Sequence, residues 1–283
     1  MSTFSIETDP FENESYREFC EFWLSQQNQY LKDLISAAES QKKDIASCSS
    51  LKQEHDDDNV DALIDMVVRH YEHYYKVKSS WLELDAFPIL RPAWRSSLED
   101  AFLWLGGWRP STAFHMLYSK SGMQLEAQLP EILHGLRTGD LGDLSPKQVL
   151  KIDALKRRTI KEEKETTEKM AKHQETIASP SMVDLSHVAT KWIMEGEREG
   201  EPNGSMMRER LKLTLERKEE GLKEMVQMAD ELRLKTFKEI LQILTKTQTI
   251  HFLIAAAELH LRVHEWGMQR DSMKHQKEEH EES

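Results

Sequence analysis

His260 and His264 are the residues whose type and spacing best suit chemistry. Four positions apart on a helix, their rings leave one side of it, above Leu253 and Ala257. That spacing leaves two readings open. In one, the imidazoles are hydrogen-bonding groups between helices, set in an otherwise apolar stripe. In the other they hold a metal or a haem. Two histidines at this spacing chelate an ion such as zinc, although no third ligand is evident. They cannot clamp opposite faces of one haem iron, because both project from the same side; one would be axial and the other would support it.

The other chemistry-bearing residues are less pointed. His70 and His73 lie one turn apart beside Tyr71, Tyr74 and Tyr75, which reads as a mixed aromatic and polar face. The chain has no G-x-S-x-G, H-E-x-x-H or C-x-x-C and no glycine-rich phosphate loop, and Gly106-Gly107 reads as a helix stop. A di-iron bundle needs Glu-x-x-His on two helices, whereas Glu72 directly precedes His73 and Glu265 directly follows His264. Met206, Met207, Met225 and Met228 read as packing residues. No catalytic centre emerges, so the expectation is a binding protein and not an enzyme.

Composition narrows the partners. The net charge is -12 over 283 residues, the opposite of the basic surface that neutralises phosphates, so direct nucleic-acid binding is disfavoured. Cys20 and Cys48 are the only cysteines, which fits a reducing compartment, nuclear or cytosolic. The start, MSTFSIETDPFENES, lacks the apolar stretch of a secretory signal, and the longest apolar run, Phe252 to Ala257, is too short to span a bilayer. No membrane association is expected.

The elements that must position these residues are helices. Only 11 Gly and 8 Pro punctuate the chain, and no alternating strand pattern competes. Residues 1–10 read as a disordered acidic tail, 11–271 as a single helical domain and 272–283 as a charged tail. Tyr16, Phe19, Cys20, Trp23, Leu24, Leu31 and Leu34 form the stripe of a first helix that ends before Ser47. Glu54 to Asp58 reads as a linker and a second helix starts near Asn59, broken by Phe87-Pro88 and Arg91-Pro92. Ser96 with Glu99 forms a capping box for a short third helix running to Gly106. Pro110 opens another that Gly122 closes, and Leu125 to Leu136 reads as a further one. Ser145-Pro146-Lys147-Gln148 starts a long charged helix on a narrow seam of Ile152, Leu155, Ile160 and Met170, ended by Ser179-Pro180. A short amphipathic piece, a loop over Glu195 to Ser205, a long helix over Met206 to Leu244 and a last helix from Thr245 to about Arg270 complete the chain. The expected fold is all-α, a multi-helix bundle of about eight helices with long helix pairs.

Three strings carry a resemblance: Phe22-Trp23-Leu24-Ser25-Gln26-Gln27; Pro92-Ala93-Trp94-Arg95-Ser96-Ser97-Leu98-Glu99 through Trp104-Leu105-Gly106-Gly107-Trp108-Arg109-Pro110-Ser111; and Leu259-His260-Leu261-Arg262-Val263-His264-Glu265-Trp266-Gly267. In this order they resemble the plant Delay of Germination family, whose helical domain is similar to the C-terminal half of TGA-type bZIP transcription factors. The likeness spans roughly Phe11 to Asp271. It implies a non-catalytic regulator of seed dormancy and abscisic acid signalling, located in the nucleus with the cytoplasm as a second compartment. It implies binding of a type 2C protein phosphatase, self-association, and haem held at His260 and His264. The alternative it implies is regulation of transcription through a TGA-type bZIP partner that supplies the DNA contact. Two departures are visible. The family's phosphatase-contacting motif, D-S-Y-L-E-W, aligns with Glu18 to Trp23 and keeps only its Trp and an acidic first position. No basic region or zipper fits before Ser15.

Overall fold

The computed structural model describes residues 16–47, 53–92, 94–127, 140–195 and 202–281. The expected tail over 1–10, Cys48 and most of the expected helix beyond Leu125 lie outside them. The described chain is helical: α1 (Tyr16–Ser47), α2 (Gln53–Leu84), the single turn α3 (Phe87–Leu90), α4 (Ser97–Phe102), α5 (Thr112–Ala127), α6 (Pro146–Glu175), α7 (Pro180–Glu195), α8 (Pro202–Ile243) and α9 (Lys246–Glu281), with 3₁₀ turns at Leu141–Asp143 and Thr176–Ala178. The long pairs expected from the sequence are α6 against α8 and α1 against α9. No helix among the described residues is long and apolar enough to cross a membrane.

Local chemistry explains the boundaries. The capping box expected at Ser96 forms, and two more close the starts of α6 and α9. Ser96 caps α4 with Glu99, Ser145 caps α6 with Gln148, and at the head of α9 Gln248 N–H donates to Thr245 Oγ1 while Thr245 N–H donates to Gln248 Oε1. Several boundaries differ from expectation, among them the start of α8, which begins at Pro202 inside the expected loop over Glu195 to Ser205. Helix α2 begins at Gln53, so Glu54 to Asp58 is its first turns and not a linker. Helix α5 starts at Thr112, two residues after Pro110, and runs through Gly122, a position where an added Cβ would meet open space. Helix α9 continues past Arg270 to Glu281, since its Lys, Gln and Glu residues are good helix formers and no breaker intervenes.

The Gly106-Gly107 pair is a tight turn and not a helix stop. Helix α4 has already ended at Phe102. Leu105 and Gly106 both take positive φ, 49° and 70°, and Trp104 pairs with Gly107 across the bend. A Cβ at Gly106 would lie 2.8 Å from the Ile89 carbonyl oxygen.

Two apolar clusters fill the interior. One gathers Leu34, Leu63, Val67, Phe114, Leu117, Ile152, Ile240 and Phe252; the other gathers Tyr16, Phe19, Cys20, Trp23, Val77, Leu82, Ile89, Trp94 and Val226. Tyr71 and Leu261 pack against both. Along α6 the buried positions are Ile152, Leu155, Thr159, Glu163 and Thr166, at steps of three and four. Ile160, expected in that seam, is one position off the stripe and is exposed. The seam therefore turns polar: Thr159 meets Thr236 of α8, and Glu163 accepts a hydrogen bond from Ser111 N–H at the head of α5.

A buried ion cluster joins α2, α8 and the glycine turn. Lys78 Nζ donates to Asp230 Oδ1 at 2.8 Å and to the Gly106 carbonyl at 2.9 Å. Arg233 donates to Asp230 and to the carbonyls of Trp104, Leu105 and Trp108. Burial pulls Lys78 down to about 8, against the pull of Asp230. Asp230→Ala leaves two buried cations facing only carbonyl oxygens. Urea denaturation should show a loss of about 3–5 kcal/mol, whereas breaking the exposed Lys161–Glu165 pair should leave the midpoint within error.

Candidate functional site

A cleft of about 260 Å³ opens between α2, α5, α8 and α9. Its walls are aromatic: Trp23, Tyr71, Tyr74 and Phe237 lie along it. Lys78, Arg95, Arg109 and Arg233 also line it, together with His260, and among the described residues no Asp or Glu does. The glycine turn supplies one edge through Gly107, Trp108, Arg109 and Pro110. That edge is fixed from two sides. Arg233 holds the turn's carbonyls, and Arg109 lies 3.7 Å from Glu163 with its guanidinium over the Trp104 ring.

The two histidines expected to form one site have different surroundings. His260 points into the cleft, its ring 5.5 Å from that of Trp23, and has no hydrogen-bond partner among the described residues. Burial, with the Arg95 guanidinium next, pushes its imidazole down to about 4, so it is neutral at pH 7. His264 is bound elsewhere: its Nδ1 lies 2.9 Å from Glu99 Oε2. Burial alone would raise the Glu99 carboxyl. Hydrogen bonds from His264, from Ser96 N–H and from the Ser96 hydroxyl outweigh it and hold the group at about 2. An ionised carboxylate only accepts, so His264 Nδ1 donates, which leaves Nε2 as the ring's ligating position. Beside His264, Met268 and Met273 form a shallow surface hollow.

The same junction explains two strings of the sequence. Glu99, the capping residue of α4, is also the anchor of α9. Gly267 lets α9 approach the cap, for a Cβ there would fall 2.1 Å from Ser96 Oγ. One turn further, Asp271 accepts from Ser97 N–H at 2.7 Å and from the Ser97 hydroxyl at 2.5 Å. The histidine string and the tryptophan-rich string are thus two halves of one contact.

His70 and His73 are packing groups, as expected. His70 stacks on Trp23 at 4.6 Å with planes 2° apart, and burial pushes it down to about 4; His73 meets Phe19 edge-on. Trp23, the residue retained from the phosphatase-contacting motif, is 3% exposed and donates to the His70 carbonyl, whereas its neighbour Phe22 is exposed. Among the described residues no group of three His, Cys, Asp or Glu side chains could hold a metal ion. Sequence reasoning missed Lys78, Arg95, Asp230 and Arg233. Lys78 and Asp230 are 152 residues apart and share no motif. Only the i,i+3 spacing of Asp230 and Arg233 is visible in the chain.

The fold and the cleft define a class: an all-helical protein with an aromatic, cation-lined cleft beside a carboxylate-anchored histidine. A family model described as seed dormancy control, DOG1, matches residues 31–119. Protein DOG1-like 4 of Arabidopsis thaliana is 30% identical over 269 residues, covering 93% of this chain and 96% of that protein. Protein DOG1-like 3 is 29% identical over 262 residues, covering 89% and 83%. Transcription factor TGA1 is 29% identical over 241 residues, covering 85% of this chain and 52% of its own length. The chain belongs to the DOG1-like family of seed dormancy control proteins.

Titration of the buried groups gives the fold a pH dependence. An unfolded histidine takes up its proton near 6.5, whereas His70 and His260 in the fold take it near 4. As pH falls through that window the unfolded chain binds protons first and stability is lost. Each ring contributes on the order of 3 kcal/mol, at about 1.4 kcal/mol per tenfold change in proton affinity. The Glu99 contribution is present above 4.5 and is lost as pH falls towards 2. Urea stability should therefore decline from pH 6.5 to 4 and, through Glu99, further towards 2, and His260→Gln should make the decline above pH 4 shallower while leaving the part below pH 4 in place.

Proposed function

We propose that this chain is a non-catalytic regulator that works in the nucleus by binding protein partners. The observation that carries the reading is apolar surface left uncovered along α7 and the first half of α8. Val183, Met194, Met206, Leu213 and Leu215 are all exposed there. Apolar patches of this kind mark sites of protein contact. A TGA-type bZIP factor is the favoured partner, because a domain similar to this one occupies part of TGA1 and the acidic chain needs a partner to reach DNA. A type 2C phosphatase is the second reading. Its support is narrower, since the retained Trp23 is spent on the core, although Glu18, Glu21 and Phe22 of the same segment are offered to solvent. Met206→Glu with Leu213→Glu should abolish co-precipitation of the bZIP factor while the circular dichroism spectrum is unchanged. Undiminished co-precipitation would refute this face as the partner site.

Haem fits one of the two expected histidines better than the pair. A ligating histidine characteristically gives its other N–H to a carboxylate, which fixes the tautomer and strengthens the free nitrogen. His264 has that arrangement through Glu99. His260 lacks it and faces a cleft smaller than the roughly 300–1,000 Å³ of drug-sized pockets. If haem binds, His264 would hold its iron and Met268 and Met273, which line the same hollow, would offer it apolar surface, the iron supplying redox or gas-binding chemistry. Hemin titration should give a Soret shift that His264→Ala removes and His260→Ala retains. A shift that is unchanged in His264→Ala rules out this assignment.

A further inference from the structure

We propose that the cleft between α2, α5, α8 and α9 is a binding site for a compact, apolar carboxylic acid, held as its anion by Arg95. The charge arrangement comes first. Lys78 and Arg233 share Asp230 and spend their remaining donors on the carbonyls of the glycine turn. Arg109 has Glu163 within ion-pair range. Arg95 has no carboxylate within that range among the described residues, and its Nε and Nη1 are buried with no hydrogen-bond partner. Its one polar contact is a 3.4 Å hydrogen bond from Nη2 to the Tyr74 hydroxyl. The Trp94 ring lies under the guanidinium at 4.9 Å and holds it in place.

Arg95 borders the cleft with donors unmet, which is costly for a permanently charged group, and a carboxylate in the cleft relieves that cost once the guanidinium turns Nε or Nη1, both closed to solvent as it stands, toward it. One available cation points to a single negative charge. A phosphate monoester would bring more charge than this wall can meet. The anion's second oxygen can accept from His260 when that ring presents an N–H to the cleft. So the chain, acidic as a whole, places a positive, carboxylate-free surface inside an aromatic recess.

Size and lining set the rest of the ligand. A dry cavity of roughly 150 Å³ accommodates a benzene ring. The volume here, about 260 Å³, suits a body of about two fused rings or a ring with a short branched chain. Trp23, Tyr71, Phe237 and Phe252 give such a body flat apolar surface on several sides. This inference is independent of partner binding through α7 and α8 and of haem at His264, neither of which uses the cleft.

The test is isothermal titration calorimetry on the full chain with naphthalene-1-acetate and with its methyl ester. The acid should bind saturably, and the ester should bind roughly 10- to 100-fold more weakly, the worth of a charge-assisted hydrogen bond. Arg95→Gln should weaken the acid by a similar factor without affecting the ester. Met116→Trp, which fills the cleft, should remove both. Equal affinity for acid and ester, an Arg95→Gln variant that binds the acid as tightly as the parent, or no saturable binding of the acid at millimolar concentration would each overturn the proposal. Should Arg95→Gln not fold, Arg95→Lys and the acid-to-ester comparison on the parent chain decide the question.

Discussion

The Glu99 carboxylate is the constraint on which the site depends. Its side chain is 2% exposed and ionised, so its charge must be met by hydrogen bonds. Ser96 meets part of it from within α4, and His264 meets the rest from α9, 165 residues later in the chain. Removing either partner leaves a buried charge short of donors. The contact therefore fixes the rotation of α9 about its own axis. Gly267 and Asp271 hold the same register, one by allowing close approach and the other by capping Ser97.

That rotation determines what the remaining residues face. With His264 turned to Glu99, His260, one helical turn earlier, is turned to Trp23 and the cleft. The second fixed point is the Lys78–Asp230–Arg233 cluster, which pins the glycine turn and so sets the cleft's far edge. Between these two points Arg95 has cations and aromatic rings around it and feels the Glu99 charge from a distance, but no carboxylate among the described residues lies within ion-pair range of it. The recess exists because two polar junctions hold its walls apart, and its charge exists because those junctions use up every nearby carboxylate.

Much of the fold was legible from the chain, and the site was legible only in part. The stripe of Tyr16, Phe19, Trp23 and Leu31 and the three capping boxes encode local structure, so they can be read without knowledge of distant residues. The histidine pair drew attention correctly, because two imidazoles on an apolar stripe are unusual. Their separate roles were hidden, because Glu99 reads in sequence as a helix cap and nothing marks it as the partner of a residue on another helix. Lys78 and Asp230 were hidden for the same reason: a lysine inside a helix normally reads as solvated, and only tertiary packing buries it. The Gly106-Gly107 pair was misread because a glycine after an apolar helix stops the helix more often than it forms a two-residue bend. Ile160 shows the reverse error, an apolar residue placed in the seam by type when the helical period puts Thr159 there.

The central claim is that one string of sequence carries two histidines with different jobs, one anchored on Glu99 and one facing the cleft. Nitrogen-15 NMR of the imidazole side chains across a pH series tests it most directly. The account predicts that His264 Nδ1 carries a proton at every pH from 4 to 8, and that His260 stays neutral until pH approaches about 4. A His264 ring with its only proton on Nε2, or a His260 ring that takes up its proton near 6.5, would contradict it.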